Sequence, residues 1–283
     1  MRKHTNQFSL KKMARLMKVS RSGYYAYLKR GLSKRDLENM KLIKEIKLVY
    51  SENRGLYGSP RIHAALMQSG IDCSRKRVAN LMRKCNLRAK MNRSFKHRKK
   101  VKKQVAPNLL KQNFQTDLPN HVWISDISYI KTSEGWLYLA AIMDLFSRKV
   151  IGISMESHMS ADLVEKALIR AIYRRKPSGE AIHHSDRGSQ YTSSSFKLLY
   201  EMHSVKLSMS EGSCYDNAAM ESFFHTLKTE LVHLNKYSTR QEAKRAIFEY
   251  IEGFYNRKRL HSTLGYVSPE VFEENYYKQR LCS

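Results

Sequence analysis

Three things are scarce in this chain: paired cysteines, long apolar runs and, over its first 110 residues, acid. The 4 cysteines, Cys73, Cys85, Cys214 and Cys282, form no C-x-x-C pair, and no Cys/His cluster has ligand spacing, which argues against a zinc site. Nothing implies the oxidising compartment that disulfides need, so the thiols are expected reduced. No apolar run approaches the roughly 18 residues of a membrane span. Met1-Arg-Lys-His-Thr-Asn6 is followed by no signal-peptide apolar segment. A cytoplasmic protein without membrane contact is expected.

The acid shortage is local. Residues 1–110 hold 30 lysines and arginines against 5 acids, while the rest of the chain holds 22 against 20. Nearly all of the net charge of +27 therefore lies at the front. Such asymmetry points to a polyanion-binding front end joined to a separate domain. With 283 residues and 42% hydrophobic content, the chain can bury a sizeable core and divide into two or three units. No internal repeat stands out.

Periodicity divides the chain into residues 1–35, 36–90, 91–115, 116–275 and 276–283. In the first part, Leu10, Met13, Ala14, Leu16 and Met17 recur at helical spacing. A break at Val19–Gly23, with Ser20 or Ser22 as N-cap, precedes a second, aromatic and basic run, Tyr24–Arg30. This is either a helix-turn-helix or a small helical hairpin packed on the next domain. The second part reads as three helices. Leu42, Ile43, Ile46 and Val49 share a face; Ser59 caps and Pro60 opens the next helix; a last one runs from Arg75 to Lys84. Arg75, Lys76, Arg77 and Arg83, read as exposed, suit phosphate contacts. The basic stretch 91–115 has almost no apolar period and reads as a tether that also touches nucleic acid.

From Thr116 the period changes to that of strands. Three, near 123–130, 136–144 and 149–155, have short connections and so pair antiparallel. Helix 161–174, strand 181–185, helix 194–203, strand 205–209, helix 216–231 and helix 239–255 follow, with a basic tail at Asn256–His261. That order predicts an α/β fold with a ribonuclease-H-like sheet, preceded by all-α units.

Three acids stand where chemistry is expected. Asp126 interrupts the apolar strand Val122–Ile130, where an unpartnered buried carboxylate costs several kcal/mol. Asp186 follows strand 181–185, at the sheet edge where open α/β folds place their sites. Glu221 shares a helix face with Asn217, His225 and Lys228, opposite Met220, Phe223, Leu227 and Leu231. Taken alone, Glu221 and Lys228 read as a solvated charge pair. Together, three carboxylates suit two hard cations, Mg²⁺ or Mn²⁺, that stabilise both oxygens of an in-line phosphoryl displacement. Asp144 reads instead as a turn acid and Asp216 as an N-cap. His183 and His184 read as packed strand residues, and Ser185 and Ser189 lack a His-Asp relay.

The residues together resemble a known family. Val19-Ser-Arg-Ser-Gly-Tyr-Tyr25, Tyr57-Gly-Ser-Pro-Arg-Ile62, Trp123-Ile-Ser-Asp-Ile-Ser-Tyr129, His184-Ser-Asp-Arg-Gly-Ser-Gln-Tyr191, Ser208-Met-Ser210, Asp216-Asn-Ala-Ala-Met-Glu-Ser-Phe-Phe224 and Tyr255-Asn-Arg-Lys-Arg259 occur in order. They are similar to the second-frame transposases of bacterial insertion sequences, the "insertion sequence three" group of the retroviral-integrase superfamily. The resemblance implies a catalytic triad on Asp126, Asp186 and Glu221, the last two 35 residues apart, with a basic residue on Lys228. It also implies an integrase-type core, Mg²⁺ or Mn²⁺, cleavage at element ends and joining of 3′-hydroxyls to target DNA in the bacterial cytoplasm. DNA contacts are expected at Arg21, the four basic residues of 75–83, Lys228, Arg257 and Arg259. The partners implied are the element's terminal repeats, target DNA, further copies of the chain, and an upstream-frame protein joined by frameshift fusion. This chain begins at its own Met1 with no sustained heptad, and so reads as the downstream product. The other reading is a non-catalytic DNA-binding regulator.

Overall fold

The computed structural model of the protein describes residues 1–90, 116–177, 181–185, 194–203, 205–209 and 217–281. The basic stretch 91–115, and Asp186, Ser189, Cys214, Asp216 and Cys282, lie outside the described residues.

Five helices lead the chain. Helices α1 (Leu10–Leu16) and α2 (Arg21–Lys29) are the two short helices expected, and Ser20 caps α2 by accepting from the Gly23 N–H. The pair is lightly held: α1 buries Met13 and Ala14, and α2 buries nothing. Helix α3 (Lys34–Glu52) starts with a capping box between Ser33 and Asp36. Helix α4 (Ser59–Gln68) begins one residue earlier than expected, with Gly58 as N-cap and Pro60 in its first turn. Helix α5 (Arg75–Lys84) is capped by Ser74. Leu42, Ile46, Ile62, Leu66, Val78 and Leu81 face one another in its core.

The sheet contains β1 (Val122–Thr132), β2 (Gly135–Asp144), β3 (Val150–Glu156), β4 (Ala181–Ser185) and β5 (Val205–Met209) in the order β3-β2-β1-β4-β5. The first three pair antiparallel, and β4 and β5 add in parallel. Alternation along each strand sends side chains to two cores. Leu137, Leu139, Ala141 and Met143 of β2 face one core, and Ala140 and Ile142 face the other. Helices α6 (Ala161–Arg175) and α7 (Ser194–Met202) cover the second face through Leu163, Val164, Ala167, Phe196 and Tyr200. Gly152 of β3 lets α6 approach closely: a Cβ there would sit 3.0 Å from Ala171 Cβ and inside contact distance of the Ala167 carbonyl oxygen.

Helix α8 (Ala218–Glu230) and helix α9 (Arg240–Phe248) lie on the first face. The expected helix to Tyr255 instead loosens into a π-helical turn, Glu249–Tyr255, that turns Tyr250, Ile251, Phe254 and Tyr255 inward. The expected basic tail is not a tail. Asn256, Arg259, Leu260 and His261 are buried. Asn256 donates to the Val150 carbonyl and accepts from the Val150 N–H, both at 2.9 Å, which satisfies the first residue of edge strand β3. A last helix, α10 (Pro269–Leu281), runs through the boundary expected after residue 275. Its buried Glu273 meets Arg175, Lys149 and Ser147.

The leading helices are not a separate bead. One core is continuous from α3–α5 to α8 and the π-turn. Tyr57, 1% exposed, accepts from the Leu260 N–H at 2.9 Å and donates to the Lys258 carbonyl at 3.2 Å.

Candidate active site

Strand β1 pairs with β2 along its length but, among the described residues, with β4 only over Val122–Ile124. Asp126 therefore stands just past the last β1–β4 pair. It is half-buried, and its Oδ1 accepts from the Ile127 N–H at 2.8 Å.

The residue before it is fixed from two directions. Ser125 Oγ lies 2.8 Å from His183 Nε2, and the other ring nitrogen of His183 is 2.7 Å from the Tyr200 hydroxyl. The Ser125 carbonyl accepts from Asn217 Nδ2 at 2.9 Å. Burial pushes the His183 imidazole down to about 3, so it is neutral and serves as a packed cross-strand link. The sequence places Asn217 on the Glu221 face but assigns no role to it or to Ser125. A buried serine beside the acid, and an asparagine one turn before Glu221, were the available signals.

Asn217, rather than Asp216, occupies the N-cap position of α8, and its side chain is spent on Ser125 instead of on capping. The Glu221 N–H then donates to the Asn217 carbonyl at 3.1 Å, which puts Glu221 in the first helical turn. Met220, Phe223, Phe224 and Leu227 are buried against the sheet. Two turns further, the Lys228 ammonium sits 4.8 Å from the centre of the Tyr129 ring. Burial lowers its pKa, and the Asp126 carboxylate opposes that shift. The polar face of α8 thus lies along β1 and is tied at both ends, with half-buried Glu221 between the ties.

Asp144 is wholly buried and accepts from the N–H groups of Asn120 and Phe146, as a turn acid does. Desolvation raises it to about 6 despite Arg175 at 3.3 Å. His184 bonds Ser208 across to β5 at 2.8 Å. Among the described residues no group of three or more His, Cys, Asp or Glu has metal-holding geometry; Asp186 is not among them.

The residues assigned to DNA divide. Arg21, Arg75, Lys76, Arg83 and Arg257 are exposed, although Arg257 lies 3.6 Å from Glu270. Arg77 is not exposed as expected. It is half-buried and holds α5 to α3 through Asn39 at 2.8 Å and Glu38 at 3.2 Å. Arg259 is a clear correction: it is 5% exposed and forks onto Glu230 at 2.7 and 2.9 Å. Its partner stands 29 residues upstream on α8, out of reach of a reading based on local charge runs.

Residues 116–214 and 221–277 each match the family model of an integrase core domain, and residues 34–95 match an HTH-like domain. The protein is of the integrase-core class, with a helix-turn-helix-like domain ahead of the core. Transposase InsF for insertion sequence IS3A of Escherichia coli (strain K12) is 41% identical over 276 residues, covering 96% of each chain. The insertion element IS600 31 kDa protein of Shigella sonnei is 42% identical over 269 residues, 94% of this chain and 99% of that one. The chain belongs to the IS3 family of insertion-sequence transposases.

Solved structures are more distant. The HTLV-2 integrase catalytic core domain in complex with magnesium is 19% identical, with a TM-score of 0.41 over 52% of this chain and 92% of that one. A simian T-cell lymphotropic virus intasome in complex with a PP2A regulatory subunit is 18% identical, with a TM-score of 0.42 over 77% of this chain and 70% of that one. Those likenesses do not bear on the chemistry.

Proposed function

We propose that this protein cleaves DNA at the ends of an insertion element and joins the freed 3′-hydroxyls to target DNA. Asp126, Asp186 and Glu221 are the acids that act on the phosphodiester. The observation that carries this reading is the tie between β1 and α8: Asn217 bonds the residue before Asp126 and starts the turn that holds Glu221. Ser185, the last residue of β4, directly precedes Asp186 in the chain.

Half-buried carboxylates on a strand and a helix offer a hard, all-oxygen donor set, which fits Mg²⁺ or Mn²⁺. When bound, two such ions polarise the phosphodiester and lower the pKa of the attacking water. The protein's own groups do the rest. Ser125, Asn217 and His183 hold Asp126 in place. Lys228, already partly desolvated, gives up little hydration to meet a DNA phosphate beside the acids. Arg75, Lys76 and Arg83 present exposed charge on α5 for duplex phosphates, with Arg21 and Arg257 further out.

Synapsis of two element ends calls for more than one copy on DNA, and an upstream-frame partner, as a fusion, completes end recognition. A cytoplasmic site of action on bacterial DNA goes with this role; none of the described helices is long and apolar enough to cross a membrane. The non-catalytic regulator is separated by one assay: metal-dependent joining of a labelled element end, wild type beside Glu221→Gln. A regulator yields product with neither protein, even when each is fused to the upstream-frame partner.

A further inference from the structure

A cleft of about 320 Å³ lies between the β2–β3 turn and α8, near the lower end of the roughly 300–1,000 Å³ range of small-ligand sites. None of the residues placed at the acids lines it. Arg61, Arg148 and Arg259 do, with no carboxylate among its lining residues. Ser222 and Thr226 of α8 and Thr263 add hydroxyls, and Phe223 and Tyr255 form the floor.

The three arginines are not equivalent. Arg259 is satisfied by Glu230, and Arg61 lies over the Tyr57 ring and 3.5 Å from the same carboxylate. Arg148 is half-buried and makes no hydrogen bond or ion pair with any described residue. Its backbone is held at φ +60, a region that non-glycine residues seldom enter. Partial desolvation lowers the pKa of its guanidinium. One carboxylate against three guanidiniums leaves an excess of positive charge facing the cleft.

We propose that this cleft holds a phosphodiester of a single DNA strand, gripped by the Arg148 fork and the α8 hydroxyls. A guanidinium fork matches two phosphate oxygens, and serine and threonine hydroxyls are common phosphate donors. Ser222 and Thr226 occupy the face of α8 next to that of Glu221, so a strand leaving the acids crosses one helix to reach Arg148. The cleft has room for one phosphate-sugar unit and not for a duplex. The inference rests on the proposed DNA-joining role for the position of that strand.

The test is binding of the full chain, without divalent metal, to a mixed-sequence 20-nucleotide single strand and to its duplex across a salt series. Arg148→Gln should weaken single-strand binding about tenfold and reduce the log–log salt slope by about 0.7, while leaving duplex binding close to wild type. Arg148→Lys should restore the slope. Ser222→Tyr, which fills the cleft from an exposed position without removing charge, should also weaken single-strand binding, and it stands in if Arg148→Gln fails to fold. Unchanged single-strand affinity in variants with wild-type melting temperature, or equal losses for strand and duplex, overturns the proposal. If end joining by wild type persists in either case, the catalytic reading stands without it. A wild type that does not bind the single strand also overturns the proposal, and the catalytic reading is then judged by end joining alone.

Discussion

Glu230 shows what one buried charge does in this molecule. It accepts from Arg259 twice and from the Tyr250 hydroxyl at 2.6 Å, with Arg61 behind. Desolvation pushes its pKa up, but the Arg259 bonds and charge outweigh that and hold it below the usual carboxylate value. The cluster joins α4, α8 and the segment after the π-turn. Glu230→Gln should destabilise the protein by about 3–5 kcal/mol, because Arg259 is left buried without its anion; urea unfolding reads this. A loss below about 1 kcal/mol would mean that water reaches the cluster. The pair was illegible in sequence, since a basic run looks alike whether solvated or paired at long range. Asp126 was legible because its apolar neighbours within the strand made it anomalous.

The elements were largely readable because their periods are clean. The antiparallel trio, α6 and α8 follow from alternation or from the 3.6-residue repeat. Two features escaped for physical reasons. The π-turn differs from an α-helix by one residue of hydrogen-bond offset, which no apolar pattern encodes. Helix α10 buries only Pro269 and Glu273, so it shows no apolar stripe. Packing between elements is tightest at Gly152, where α6 crosses β3. Gly152→Ala should cost about 1–3 kcal/mol through overpacking, seen as a lower urea midpoint with unchanged m-value. A neutral effect would show that α6 shifts freely on the sheet.

Across the whole molecule, the charge asymmetry points to a polyanion-binding front end with a separate domain behind it. The structure gives a different joint. Helices α3–α5 share a core with α8 and the π-turn, and Tyr57 bonds the backbone at Lys258 and Leu260, whereas α1 and α2 bury two residues between them. Removing residues 1–32 should therefore leave the melting temperature within a few degrees. Removing residues 1–90 should lower it by about 10 °C or more, given roughly 2–4 °C per kcal/mol at this size. Equal effects of the two truncations would refute the shared core. Under the proposed function, this shared core would hold the acids and helices α3–α5 in one register on DNA.

Whether Asp126, Asp186 and Glu221 carry out phosphoryl transfer, as proposed, is tested most directly by a strand-transfer assay. A labelled element end and a target duplex are incubated with Mg²⁺ or Mn²⁺ and the protein fused to its upstream-frame partner, wild type beside Glu221→Gln. Wild type should join the end to the target, and the variant should lose more than about a hundredfold, since even outer residues of metal sites cost 10–100-fold. Joined product at equal rates from both proteins would contradict the account.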